Sequence, residues 1–126
     1  MKPKIGIPHD MRKGVVELLS TVLADEYVLY TKTRNYHWNV EGMPFNDLHK
    51  FFEAQYEALD EFIDEVAERA RSLGGRALGT LAEFSQRTRL KEDPKKTPDA
   101  KQMLANLLAD HESVIRELPA DLERAL

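Results

Sequence analysis

The sequence contains no cysteine. This absence excludes disulfides, zinc sites with thiolate ligands and thiol nucleophiles, so any bound metal is held by nitrogen or oxygen ligands. Long apolar runs are also missing, because no segment approaches the roughly 20 apolar residues of a membrane-spanning helix. The N-terminal segment from Met1 to Pro8 is not an apolar run of signal-peptide length either. We therefore expect a cytoplasmic protein that does not act in a membrane.

Glycine and proline are scarce, with six of each in 126 residues, whereas 42% of the residues are apolar and 32% are charged. This composition is typical of a globular, mostly helical chain rather than of a disordered or fibrous one. The length is enough for one hydrophobic core, which predicts a single domain over residues 1–126.

Positive charge is not in excess, since the formal net charge is -4 and the pI is near 5.6. An acidic surface repels the phosphates of nucleic acids unless basic residues are gathered locally. Any role with nucleic acid must therefore come from a local basic patch.

A first long helix is predicted from about Asp10 to about Trp38, because apolar residues recur there at spacings of three and four. These residues are Val15, Leu19, Val22, Leu23, Tyr27 and Tyr30. Gly42 and Pro44 then interrupt the helix, since glycine tolerates unusual backbone dihedrals and proline cannot donate a backbone hydrogen bond.

A second long helix follows, and the Gly74-Gly75 pair supplies its C-terminal stop. Its apolar stripe consists of Leu48, Phe52, Tyr56, Leu59, Ile63, Val66, Ala70 and Leu73. A short helix is predicted to begin at Thr80, because Thr80 and Glu83 have the spacing of a capping box.

A third long helix is predicted after a charged linker over residues 87–96, with Thr97 as its N-cap and Pro98 at its first position. Its predicted apolar stripe consists of Leu104, Leu108, His111, Ile115, Leu118, Leu122 and Ala125. The fold class is therefore all-α, with three long helices and one short connecting helix. A four-helix bundle would need one more helix, so we expect something outside this sequence to cover the remaining face.

The candidate chemistry lies on a polar stripe of the second helix, on one flank of its apolar stripe. The stripe consists of His49, Glu53, Asp60, Asp64 and Glu68. One interpretation is an ordinary solvated flank of an amphipathic helix. The i, i+4 spacing of Asp64 and Glu68 favours a metal site instead, because like charges at this spacing are mildly destabilising unless a cation lies between them.

A mixed set of imidazole and carboxylate ligands suits iron or manganese. His49 and Asp64 are 15 residues apart, which corresponds to about 22 Å along a straight helix, so they cannot bind one metal within one chain. A two-fold axis near the middle of the helix would bring the His49 end of one chain against the Asp64 and Glu68 end of another. His37, just across the turn, can then join His49, and one dimer would hold two equivalent sites.

Two segments at this point resemble the signatures of a known family. The run HWNVEG at residues 37–42, with residues 48–49 (LH) and Glu53 following, resembles the first signature of the Dps family of mini-ferritins. The run IDEVAER at residues 63–69, with LGG at residues 73–75, resembles its second. The resemblance extends over essentially the whole chain.

This resemblance implies a ferritin-like four-helix bundle architecture and a dodecameric cage that oxidises Fe(II), preferentially with hydrogen peroxide, and stores the ferric mineral. It implies that His37 and His49 are iron ligands from one subunit and that Asp64 and Glu68 are ligands from its two-fold mate. Glu53 stands where the family often has an aspartate as a further ligand or water holder. Trp38 corresponds to a tryptophan beside the metals, although it could equally be a core indole.

Conventional ferritins and di-iron carboxylate enzymes instead use a Glu-x-x-His motif on a helix. None of the four histidines has a glutamate three residues before it, which argues against a di-iron site within one subunit. We expect His9 to be a mobile or capping residue of the tail and His111 to be a packing residue of the third long helix.

Two further consequences concern partners and chain length. Lys2, Lys4, Arg12 and Lys13 could form the basic tail that some family members use on DNA. Family members usually continue into a last long helix that closes the bundle, whereas this sequence ends at Leu126, so we expect either a C-terminal truncation or a different assembly.

Two alternatives stand beside the ferroxidase hypothesis. One is a DNA-compacting structural protein in which iron binding is secondary. The other is a helical interaction module without a metal.

Overall fold

The computed structural model describes residues 8–42 and 45–125, with the side chains of all of these except residue 45 and residues 119–125. These segments form four helices and no strand: α1 (His9–Asn39), α2 (Phe45–Ser72), α3 (Leu81–Arg87) and α4 (Ala100–Ala125). The predicted all-α fold with three long helices and one short one is thus confirmed. No helix in the described segments combines the length and apolar character that crossing a membrane requires.

Helix α1 lies at the centre of the packing, because α2, α3 and α4 all contact it. The main core cluster combines Val28, Leu29 and Tyr36 of α1 with Phe52 and Leu59 of α2. The other buried members of this cluster follow α1, lie in the linker before α4, or belong to α4: Val40, Leu90, Met103, Leu107 and Val114. The apolar stripe predicted for α2 therefore faces α1.

One glycine follows the end of α1 and another follows the end of α2. Gly42, in the turn after α1, and Gly74, just after α2, both have a φ of 87°, a conformation that residues with a Cβ atom rarely adopt. The amide of Gly74 donates to the carbonyl of Arg71, and the amide of Gly75 donates to the carbonyl of Ala70. This is the Schellman pattern, so the predicted stop at the glycine pair is confirmed.

Gly75 is also a point of close approach between α1 and the end of α2. A Cβ atom added at Gly75 would lie 2.5 Å from Cγ1 of Val16, whereas one added at Gly79 would have no atom of the described surroundings within 4 Å. Any residue with a Cβ atom at position 75 would therefore require the Val16 side chain of α1 to shift.

The capping box predicted for the short helix is present. The Glu83 amide donates to the Thr80 side chain, and the Thr80 amide donates to the Glu83 carboxylate. Arg76 also donates to the Glu83 carboxylate at 2.6 Å. The hydrogen bonds from Arg76, followed by those from Thr80 and Gly79, lower the pKa of Glu83 to about 2.

Asp25 ties α1 to the linker before α4. Its carboxylate is almost fully buried and accepts hydrogen bonds from the Thr88 hydroxyl at 2.8 Å and from the Arg89 amide at 2.7 Å. The guanidinium of Arg89 donates to the other carboxylate oxygen through Nε at 2.9 Å and Nη2 at 2.6 Å. A buried carboxylate with these charged and polar donors fixes the path of the chain between α3 and α4.

Two predictions for the last helix are wrong. The helix begins at Ala100 and is capped by Asp99, whose side chain accepts from the Gln102 amide at 2.8 Å. Thr97 is therefore not the N-cap, because the aspartate two residues later offers a stronger acceptor to the first turn.

The buried face of α4 was also predicted one residue out of register. Met103, Leu107 and Val114 are buried, whereas the predicted residues Leu104, Leu108 and Ile115 are 40%, 60% and 65% exposed. The helix has two adjacent apolar stripes, and α1 covers only the first of them.

Candidate metal site

His37 and His49 lie side by side where the hairpin between α1 and α2 closes. Their rings are stacked, with centroids 3.7 Å apart and planes inclined by 17°. Nδ1 of His37 donates to the carbonyl of His49 at 2.6 Å, and Nδ1 of His49 donates to the carbonyl of His37 at 2.7 Å. Each histidine thus fixes the other through the backbone.

These two hydrogen bonds determine the tautomer of both rings. A backbone carbonyl only accepts hydrogen bonds, so Nδ1 must carry the proton in each ring. In the neutral rings the lone pair then lies on Nε2, the atom that binds a metal in this tautomer. The hairpin therefore holds two imidazoles, next to each other, in the protonation pattern that a metal ligand requires.

The surroundings of the pair are aromatic and cationic. The ring of Tyr56 meets that of His37 edge-on, with centroids 5.2 Å apart. The guanidinium of Arg34 lies 4.4 Å from the centroid of Tyr56 and 5.2 Å from that of Trp38. His37 is buried, whereas Trp38 is 63% exposed. The interpretation of Trp38 as a core indole is therefore wrong for the single chain, because its ring lies on the outside of α1.

The predicted carboxylates occupy the same helix as His49 but at different distances from it. Glu53 is half-buried one turn after His49, whereas Asp60, Asp64 and Glu68 are exposed further along α2. Because α2 is an unbroken helix from Phe45 to Ser72, the rise per residue keeps Asp64 about 22 Å from His49.

The structure therefore brings His37 and His49 together but does not bring the distal carboxylates to them. Within the described part of one chain, no three histidine, aspartate or glutamate side chains are close enough to hold a metal ion. The described residues of a single copy thus contribute two imidazoles and, further along α2, a separate group of carboxylates.

The other residues considered in the sequence have different positions. His9 is the first residue of α1 and is exposed, so it belongs to a helix rather than to a mobile tail. His111 is half-buried on α4. Arg12 and Lys13 lie in the first turns of α1, while Lys2 and Lys4 are outside the described residues.

Arg34 and Tyr56 beside the histidines were not predicted as site residues. A signal for Arg34 is present in the sequence, because Tyr30, Arg34 and Trp38 are spaced at i, i+4 along α1 and so share one face of the helix. Tyr56 lies seven residues after His49, on nearly the same face of α2. Because Tyr56 was assigned to the apolar stripe, its contact with His37 was not predicted.

Three comparisons relate this architecture to known proteins. A model of the ferritin-like domain matches residues 16–125. A low-temperature-induced protein of Nostoc sp. is 46% identical over 121 residues, which cover 96% of this chain and 68% of that protein.

The chain is also similar to proteins whose names refer to DNA protection or to Dps. A DNA protection during starvation protein of Helicobacter pylori is 38% identical over 80% of this chain and 70% of its own length. The crystal structure of a Dps protein from Vibrio cholerae O1, a member of a broad superfamily of ferritin-like diiron-carboxylate proteins, superposes with a TM-score of 0.90 at 29% identity. That match covers 98% of this chain and 77% of the other.

Proposed function

The chain belongs to the Dps family of ferritin-like proteins, and on this basis we propose that it oxidises Fe(II) with hydrogen peroxide and stores the ferric product. Iron is the substrate and cargo of this reaction. The sites are shared between two copies of the chain, and the copies assemble into a closed oligomer, a dodecamer by the family resemblance.

The reciprocal hydrogen bonds of His37 and His49 are the observation that carries this proposal. Each ring is held by a backbone carbonyl through Nδ1, which orients it and fixes its tautomer. The same hydrogen bonds leave the lone pair of each neutral ring on Nε2, the atom that binds a metal in this tautomer. Together with carboxylates of a second copy, two such imidazoles form the nitrogen and oxygen ligand set that suits Fe(II).

The carboxylates come from the second copy. Asp64 and Glu68 are exposed and one helical turn apart, so their side chains can converge on one cation. The length of α2 between His49 and Asp64 makes a site within one chain impossible. An antiparallel arrangement of two α2 helices about a two-fold axis places both ends in register and creates two equivalent sites.

Glu53 supplies a further oxygen ligand from the same chain as the histidines. It follows His49 by one turn and is half-buried, which supports this assignment. Its side chain would have to turn towards the imidazoles when iron binds, because no three histidine or acidic side chains in the described part of one copy are close enough to hold a metal. The proposed ligand set is therefore His37, His49 and Glu53 from one copy and Asp64 and Glu68 from the other. Its carboxylates stabilise Fe(III) more than Fe(II), because the attraction to a negative ligand increases with the charge of the ion.

Hydrogen peroxide is the only oxidant that the overall reaction requires. Two Fe(II) ions give up one electron each, and hydrogen peroxide takes up both electrons and two protons to form two molecules of water. Two adjacent metal positions allow both electrons to be delivered at one place, so that no free radical leaves the site. The ferric product then moves to the interior for storage.

Anaerobic Fe(II) titration followed by addition of peroxide tests this proposal. We expect two Fe(II) ions at each of the two equivalent sites of a dimer, about one peroxide consumed for every two Fe(II) by the balance given above, and a mass by light scattering well above that of a dimer. The variant His37→Ala/His49→Ala should lose both binding and oxidation.

The matched control is His111→Ala, which removes a histidine of α4 and leaves the hairpin intact. Its iron binding and oxidation rate should equal those of the unmodified protein. Full Fe(II) oxidation by the His37→Ala/His49→Ala variant, or a stable monomer that binds iron at full stoichiometry, would overturn the proposal.

DNA binding is a second candidate function. A recess of about 140 Å³ at the start of α1 is lined by the three basic residues His9, Arg12 and Lys13, and the H. pylori relative is named for DNA protection. Because phosphate contacts release counterions, binding at this patch should weaken steeply with salt. Retardation of plasmid DNA at low salt that Arg12→Ala/Lys13→Ala abolishes would support this function, and no retardation at low salt would exclude it.

A further inference from the structure

Three of the four tyrosines form a continuous series of ring contacts that starts at His37. The ring of Tyr56 lies 5.2 Å from that of His37, and Tyr30 lies 5.9 Å from Tyr56 in an edge-on arrangement. Tyr27 follows at 5.7 Å from Tyr30. These centroid separations are those of aromatic pairs in contact, so the series crosses from α2 to α1 without a gap.

The charge of Arg34 makes the rings of this series differ in how easily they are oxidised. Its guanidinium lies 4.4 Å from the centroid of Tyr56 and 5.6 Å from that of Tyr30. A cation over a ring is attracted by the electron density of its face, and one-electron oxidation lowers that density. Arg34 therefore stabilises the reduced form of Tyr56 most and that of Tyr30 less.

Tyr27, at the far end, has a different environment. It is stacked on the neutral ring of Phe84, with centroids 4.4 Å apart and planes inclined by 17°. It also lines a cleft of about 410 Å³ between α1, α3 and the following linker, together with the polar residues Ser85 and Thr88. The end of the series is thus next to a space that a small reductant can enter.

We propose that Tyr56, Tyr30 and Tyr27 form a one-electron relay that removes oxidising equivalents from the iron site and delivers them to the cleft beside Tyr27. This inference rests on the proposed ferroxidase function. The relay acts when a site holds one Fe(II) instead of two, so that peroxide cannot receive both electrons from iron.

The chemistry of each step is balanced. A single Fe(II) reduces peroxide by one electron, which breaks the O–O bond and gives Fe(III), hydroxide and a hydroxyl radical. The radical takes the hydrogen atom of the Tyr56 hydroxyl and becomes water, leaving a tyrosyl radical. One electron and one proton then pass from Tyr30 to Tyr56, and next from Tyr27 to Tyr30.

The radical on Tyr27 is finally reduced by one electron and one proton. Ascorbate supplies both, or a further Fe(II) supplies the electron while water supplies the proton. With Fe(II) as this reductant, the sum is the same as in the paired reaction: two Fe(II), one peroxide and two protons give two Fe(III) and two water molecules. The relay therefore completes the two-electron reduction of peroxide when the second iron is not in the site.

Freeze-quench electron paramagnetic resonance on the assembled protein tests the relay. The sample receives less than one Fe(II) per site under anaerobic conditions and then excess peroxide. We expect a tyrosyl radical whose spectrum narrows with ring-deuterated tyrosine and does not change with deuterated tryptophan. The tryptophan label separates the relay from oxidation of Trp38, which also lies beside Arg34.

Three substitutions to phenylalanine locate the path. Tyr56→Phe should lose the tyrosyl signal and increase the yield of hydroxyl adduct with a spin trap. Tyr27→Phe should keep a radical but lose its rapid reduction by ascorbate, because the radical then stops at Tyr30. The matched control is Tyr36→Phe, which removes a hydroxyl that accepts from Asn106 at 3.1 Å and lies outside the series, and it should keep the wild-type signal and decay.

The outcomes separate this inference from the proposed function. Iron oxidation without any tyrosyl radical, or a signal in Tyr56→Phe equal to that of the wild type, overturns the relay and leaves the ferroxidase function intact. Equal loss of the signal in Tyr36→Phe and Tyr56→Phe also overturns it. No oxidation of Fe(II) by the wild-type protein overturns both.

Discussion

Two inactive variants of this protein should restore activity to each other when they share a dimer. The first, His37→Ala/His49→Ala, lacks the imidazoles of every site, and the second, Asp64→Ala/Glu68→Ala, lacks the distal carboxylates of every site. The reason is the length of α2, because about 22 Å separates His49 from Asp64, whereas metal–ligand bonds are about 2 Å long. Each site must then take its two halves from different copies.

The size of the recovery follows from the two-fold symmetry. In a dimer with one copy of each variant, one site receives both sets of substitutions and the other receives neither. Random mixing makes about half of the dimers mixed, so about a quarter of all sites are intact. Selection of the closed oligomer with two different affinity tags should leave this fraction at about a quarter, because nearly every randomly mixed oligomer contains both variants.

The assay is the initial rate of Fe(II) oxidation after peroxide addition, normalised to subunit concentration, on co-expressed and tag-selected protein. Fe(II) binding measured calorimetrically under anaerobic conditions gives the number of intact sites independently of the rate. The controls are the two homomeric variants, which should both be inactive. Mixed dimers as inactive as their parents, or wild-type stoichiometry in either parent, would refute the spacing argument.

Three further predictions concern the scaffold around the site. Asp25→Ala removes the buried acceptor of the α3–α4 linker and should lower the free energy of unfolding by about 3 kcal/mol, and a urea midpoint equal to that of the wild type would contradict this. Gly75→Ala should cost about 1–3 kcal/mol because the added Cβ overlaps the Val16 side chain of α1, whereas Gly79→Ala, whose added Cβ meets no described atom within 4 Å, should leave the thermal midpoint unchanged. The lowered pKa of Glu83 means that its contribution to stability is complete above pH 4.5 and is lost as the pH falls to about 2. Amide exchange in α3 should therefore accelerate within that window, and Glu83→Gln should remove the pH dependence.

The sequence predicted the elements of this fold well where local signals were strong. Periodic apolar residues gave α1 and α2 to within a few residues, and the capping box at Thr80 and the glycine pair after α2 act as expected. These features depend on contacts within a few residues of chain, so one sequence contains the information needed to predict them.

The register of α4 shows where such reasoning stops. Both Met103 and Leu104 begin an apolar series at helical spacing, and periodicity alone does not identify the series that faces α1. The choice depends on how α1 and α4 cross, which is a tertiary property. The same limit applies to Asp25, whose partners are more than 60 residues away in sequence.

The candidate site shows the same difference between what local spacing predicts and what depends on tertiary packing. Spacing on α2 was enough to infer that the distal carboxylates cannot reach His49, because helix geometry is fixed. It was not enough to predict the exchange of hydrogen bonds between the two histidines and their backbones, because that depends on how α1 and α2 pack against each other. Tyr56 and Arg34 were missed as neighbours of His37 for the same reason, since their contacts cross between two helices.

In the proposed site the two halves differ in how they are prepared for iron. The imidazole half is fixed within one chain, since each ring is held by the backbone of the other helix. The carboxylate half is an exposed flank of α2. Bringing the halves together therefore costs little reorganisation on the histidine side, whereas the mutual repulsion of Asp64 and Glu68 is relieved only when a cation lies between them. Because anything that binds the assembled state stabilises it, Fe(II) should strengthen the dimer as well as be oxidised by it.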